Sequence, residues 1–129
     1  MQTADYKKEI ISMVENLGND ENFWESIKYD KRGRETKNLG SSNIRSVANI
    51  CDNADCYEEL RLYIEYKIGK GNGWDGKLSN NEVFGRAVIK DMDKIYSDVN
   101  KDDKEALKWI SLYFGYLYWK KAAIEKGKN

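Results

Sequence analysis

The chain has 129 residues, enough to bury a core without disulfides or metal and within the usual size of one domain. Its 22 basic and 22 acidic residues cancel, so no global field drives it toward DNA or a membrane surface, and contact with a polyanion has to come from local patches. Charged residues make up 34% and aromatics 12%, with no proline to break helices and no histidine to act as general base or zinc ligand, which points to an all-α domain with a salt-rich surface.

The amino-terminal stretch MQTADYKKEI has no apolar signal core, and no run of about 18 apolar residues exists to cross a bilayer, so a cytoplasmic protein without a membrane partner is expected. From Ala4 to Leu17, the side chains Tyr6, Ile10, Met13, Val14 and Leu17 recur on one helical face, with Gly18 following as a left-handed stop. Asp20 can cap a short second helix carrying Phe23, Trp24 and Ile27. Apolar residues then vanish until Leu39. The intervening loop, Tyr29 to Gly40, sets Lys31, Arg32, Arg34 and Lys37 against Asp30 and Glu35 alone, making 30–40 the most basic exposed stretch. It reads either as a solvated connection or as an arm that contacts phosphates.

Ser41 or Ser42 can cap a third helix in which Ile44, Val47, Ala48 and Cys51 share a face, leaving Arg45 and Asn49 on another, Arg45 exposed or paired. Cys51 and Cys56 have no CxxC spacing, and the pattern predicts two reduced thiols. Asp55 and Glu58 make a capping box for a fourth helix running to about Ile68. Its stripe of Tyr57, Leu60, Ile64 and Ile68 is nearly closed into a ring by Leu62, Tyr63 and Tyr66, which predicts a largely buried helix. Gly69, Gly71, Gly73 and Gly76 then mark a glycine-rich loop over 69–80. Ser79 with Glu82 suggests a second capping box, opening a fifth helix with Val83, Phe84, Ala87, Val88, Met92, Ile95 and Tyr96 on its apolar face. Asn100 or Asp102 starts the last helix, about Asp103 to Lys126, whose Trp109, Tyr113, Phe114, Tyr116, Tyr118 and Trp119 are too many aromatics for a surface element. The expected architecture is a compact bundle of five or six helices around this aromatic carboxy-terminal helix, one domain over 1–129.

Three motifs invite a chemical reading. Gly71, Gly73 and Gly76 spell GxGxxG, but a helix precedes them where dinucleotide binding needs a strand. Asp75, Gly76, Leu78 and Glu82 match the second half of an EF-hand loop, yet Gly71 and Gly73 stand where oxygen ligands belong, so no metal or other cofactor is expected. Carboxylate neighbours such as Glu58–Glu59 and Asp102–Asp103 point different ways on a helix, and no nucleophile, base and orienting group fall at suggestive spacing, so the expectation is a non-catalytic protein.

Three separated segments resemble one family, the small helical subunit of the type III-A (Csm) CRISPR effector complex. Gly40-Ser41-Ser42-Asn43-Ile44-Arg45 is similar to its small-polar cap followed by an Ile-Arg pair opening a helix. Leu62-Tyr63-Ile64-Glu65-Tyr66-Lys67-Ile68-Gly69-Lys70 is similar to its helix ending in tyrosine, glycine and a basic residue, with Lys70 where the family more often has arginine. Phe114-Gly115-Tyr116-Leu117-Tyr118-Trp119-Lys120 resembles its aromatic final helix. The resemblance covers roughly residues 40 to 122. It implies a non-catalytic subunit of a ribonucleoprotein complex in antiviral defence, contacting guide RNA and target RNA through their backbones, bridging other effector-complex subunits and self-associating in a filament. The RNA-binding residues it implies are Arg45, Lys67, Lys70 and Lys120; local charge adds Lys31, Arg32 and Arg34. The alternatives are a helical protein-protein adaptor or a degenerate EF-hand-like helix-loop-helix module.

Overall fold

The computed structural model describes residues 3–26 and 39–127 and folds them into six helices: α1 (Thr3–Gly18), α2 (Glu21–Ser26), α3 (Ser41–Asn53), α4 (Tyr57–Lys70), α5 (Phe84–Asp98) and α6 (Asp103–Gly127). Among the described residues the only β feature is an isolated antiparallel bridge between Lys77 and Val83. The all-α bundle is therefore as expected, with α6 packed most extensively against α3, then α1, and also against α5 and α4. No helix among the described residues is long and apolar enough to cross a membrane.

Side-chain pairings set the helix directions. Tyr6 meets Trp109 and Glu15 meets Lys120, so α1 runs alongside α6 in the same sense. Arg45 lies on Tyr118 while Cys51 and Leu107 line a common depression, so α3 runs the opposite way. The α4 start is tied to the α6 start, because the Tyr57 N–H donates to Asp103 Oδ1 at 3.0 Å. At the far end, Phe23 stacks on Phe84 at 4.6 Å, and Trp24 and Trp74 close around the same Phe84 ring. Trp74 is fully buried there, although its indole N–H has no hydrogen-bond partner.

Polar groups pin α5 in place. Asp91, Asp93 and Asp98 each accept a tyrosine hydroxyl, from Tyr113 of α6 at 2.7 Å, Tyr57 of α4, and Tyr6 of α1 at 3.1 Å. One helix is thereby fastened to three others. Each tyrosine pKa is pushed up, first by burial and then by the neighbouring carboxylate, so these hydroxyls remain donors.

Several local expectations need correction. Gly18 is not in the left-handed region; a Cβ there would sit 2.6 Å from Lys120 Cε, so the glycine serves the close passage of the lysine stem. Neither capping box forms. Cys56 and Val83 are the cap residues of α4 and α5 and make no side-chain cap bond, and Gly40 rather than a serine is the cap residue of α3. Instead Glu59 Oε1 accepts the Asp55 N–H, Asp103 caps α4 from another helix, and Ser79 is tied to Asp20. Two caps are as expected: Asp20 accepts the Phe23 N–H, and Asp102 accepts the Glu105 N–H. The α4 helix continues to Lys70, so the glycine-rich loop occupies 71–83 rather than 69–80. It is not largely buried either: Leu62 is 67% and Tyr66 56% exposed. On α6, Trp119 is 68% exposed, so the aromatic run does reach the surface.

Candidate nucleic-acid interface

The folding of the chain gathers most of its candidate basic residues at one end of the bundle. The α3 start and the α4 end meet there because Gly73, at φ 94°, presses its Cα against Leu39; a Cβ would lie 2.6 Å from Leu39 Cβ, and only glycine fits. The α6 end joins them through the contact of Tyr118 with Arg45. Lys31, Arg32 and Arg34 lie outside the described residues; the described chain resumes at Leu39, at this same end.

Arg45 is exposed and rests its guanidinium 4.7 Å from the Tyr118 ring centroid, with no carboxylate partner among the described residues. A stacked guanidinium keeps its donor edge free while losing little further freedom on engaging an anion. Lys70 is exposed at the last residue of α4, its ammonium 5.6 Å from the Tyr66 ring, and Lys67 is half-buried one turn earlier; neither pairs with a carboxylate among the described residues. Their position at the helix carboxy terminus also complements the negative end of its dipole.

Lys120 is differently employed. Its Nζ lies 2.7 Å from Glu15 Oε2, its stem crosses Gly18, and only 24% of the side chain is exposed, so it is an α1–α6 tie. The neighbouring Lys121, which no sequence pattern singles out, is buried against the Trp24 ring and paired with Glu125. The platform under Arg45 is equally invisible in the sequence, since Tyr118 is 73 residues away and only the fold joins the two.

The EF-hand-like loop directs its oxygen groups elsewhere. Asp20 receives both the Ser79 N–H and its hydroxyl at 2.8 Å, and Glu82 pairs with Lys90. Burial pushes the Asp20 pKa up, but the Ser79 and Phe23 donors more than offset this and leave it below the ordinary value. Glu82, Lys90 and Asp91 line a depression of about 200 Å³ with Met13, Asn16 and Leu17. Burial raises the Asp91 pKa to about 6, although the Tyr113 hydroxyl acts to lower it. Both carboxylates there are already engaged, by Lys90 and Tyr113. Cys51 is buried and Cys56 half-buried, both free thiols, and burial lifts the Cys51 pKa to about 12, which keeps it protonated and unreactive.

The chain matches no protein-family model, and no curated protein or solved structure matches it. What fold and site define together is an all-α bundle, with six helices among the described residues, whose described candidate cations lie toward one end.

Proposed function

We propose that the chain is a non-catalytic small subunit of a type III-A CRISPR ribonucleoprotein effector complex in the cytoplasm, holding guide and target RNA by their backbones and bridging protein neighbours. The observation that carries this reading is Arg45, exposed, stacked on Tyr118 and free of any carboxylate among the described residues, at the end of the bundle where α4 delivers Lys67 and Lys70. The resemblance of residues 40–45, 62–70 and 114–120 adds to it, because the first two segments carry these same three cations. Lys120 belongs to the resemblance but is held by Glu15, so its part is to fix α6 rather than to reach phosphate.

A phosphate-contacting role is sequence-independent and salt-sensitive. An Arg45→Ala, Lys67→Ala, Lys70→Ala variant, with helicity checked by circular dichroism, is expected to bind labelled single-stranded RNA more weakly across all sequences. Its salt slope should fall by roughly 0.7 for each phosphate that is no longer neutralised. Unchanged affinity and unchanged salt dependence, both alone and in the reconstituted complex, would overturn the proposal.

A further inference from the structure

The outer face of α4 carries a self-complementary pattern. Leu62 and Tyr66 are the most exposed large apolar side chains of that helix, and at about 100° per residue they lie about 40° apart on one face. Glu59 and Lys70, both exposed, lie about 20° apart along the Tyr66 edge of this face, one at each end of the helix. Gly69 lies on the opposite edge with open space where a Cβ would be. Arg61 and Glu65, further round, are already committed within the subunit, Arg61 to Asp93 and Glu65 to Arg86, whereas Glu59 accepts only the Asp55 N–H at Oε1 and has no cation partner among the described residues.

We infer that α4 is a docking surface for a second copy of this chain, joined as an antiparallel two-fold pair. In the register that sets Leu62 against Tyr66 of the second copy, Glu59 falls within about one residue rise, ~1.5 Å, of Lys70 of that copy, and symmetry forms this ion pair twice. In the same register Gly69 of the second copy stands level with Glu59, and its missing side chain leaves room for close approach. A parallel pairing would carry the Glu59–Lys70 edge of each copy to opposite sides of the contact, with Glu59 and Lys70 of different copies at opposite ends, and would form neither ion pair, so the charges favour the antiparallel arrangement. The contact is closed, since each face is consumed by its mate, and it does not generate a filament. One helical face buries on the order of 800 Å² over both copies, below the range of stable specific interfaces, so the expected pair is weak and transient and is populated only at high protein concentration. This pairing does not depend on RNA contact and is tested without RNA.

Sedimentation velocity on the full chain, from roughly 5 to 500 µM, reads the equilibrium directly. The wild type is expected to pass from monomer to dimer, less so in high salt. Leu62→Glu, at an exposed position that leaves the core intact, should weaken dimerisation at least about tenfold by placing a charge in the centre of the contact. Glu59→Lys alone and Lys70→Glu alone should each weaken it by about tenfold, because both ion pairs become repulsive. An equimolar mixture of these two variants should recover dimers, since every cross pair is again opposite in sign. A wild type that stays monomeric throughout, a dimer indifferent to Leu62→Glu, or a mixture no tighter than its components would each sink the proposal.

Discussion

The hydrogen bond from Tyr113 to Asp91 makes a pH-dependent prediction. Tyr113 is fully buried in α6 and donates at 2.7 Å to a carboxylate that burial holds at a pKa of about 6. In Tyr113→Phe the ring still packs, but Asp91 loses its donor. Above pH 7 the carboxylate is charged, and a hydrogen bond to a charged group contributes about 1.5–3 kcal/mol. Near pH 5 the folded wild type carries a protonated Asp91, and the same bond contributes only about 0.5–1.5 kcal/mol. For a chain of this length, 1 kcal/mol shifts the melting temperature by about 4 °C, so the variant should lose roughly 6–12 °C at pH 8 and clearly less at pH 5. The Asp91 contribution itself is fully present below its unfolded value of 3.8 and is lost as pH rises through about 6, because the folded state binds the extra proton in that window. That span of about two pKa units corresponds to about 3 kcal/mol. Asp91→Asn, which keeps an acceptor but cannot titrate, should remove this downward slope. Thermal melts by circular dichroism at pH 5 and 8 decide the matter: equal losses for Tyr113→Phe at both, or an unchanged slope in Asp91→Asn, would show that Asp91 does not titrate in this way.

Two glycines on helices should respond oppositely to alanine. Gly18→Ala forces a methyl into the Lys120 stem and lifts that lysine off Glu15, at a cost of about 1–3 kcal/mol in denaturant unfolding, whereas Gly115→Ala enters open space in the middle of α6 and should stabilise by about 0.5–1 kcal/mol through helix propensity. Asp20→Ala removes both the α2 cap and the tether on Ser79, and should cost about 1–2 kcal/mol. Since the Asp20 pKa is lowered in the folded state, its contribution is present above its unfolded value and lost as pH falls below it, opposite in sign to Asp91; a stability difference between wild type and Asp20→Ala that shrinks toward pH 3 is the expected signature.

Helix positions were legible because apolar spacing reports burial directly. Tyr6, Ile10, Met13, Val14 and Leu17 are all buried on α1, and the α5 stripe from Phe84 through Ile95 is buried as its period requires. Apolar crowding was a poorer guide where a helix lies at the edge of the bundle. The α4 ring of Leu62, Tyr63 and Tyr66 predicted burial, but α4 packs chiefly on α5 and leaves its outer face uncovered. Capping boxes failed for a related reason. The local bond between Ser79 and a helix start competes with Asp20, 59 residues away, and the distant carboxylate wins because it also caps α2.

The candidate interface was legible only as single residues, because a site is a relation between segments that periodicity does not encode. Arg45, Lys67, Lys70 and Lys120 all stood out from the sequence as cations, and nothing local separated Lys120 from the rest. The fold separates them by what lies within reach: Glu15 for Lys120, an aromatic ring for Arg45 and Lys70. The ring contacts leave formal charge uncompensated, while the ion pair cancels it, so the proposed phosphate contact rests on the stacked cations rather than on Lys120. If the proposed RNA contact and the proposed pairing both hold, Lys70 sits at the junction of two surfaces, since the ammonium that would meet a phosphate at the bundle end is the one that would meet Glu59 of a second copy along α4. The two uses compete for one charge. Bound RNA should therefore loosen the pair, and rising salt should weaken both interactions together, because each depends on the same exposed ammonium.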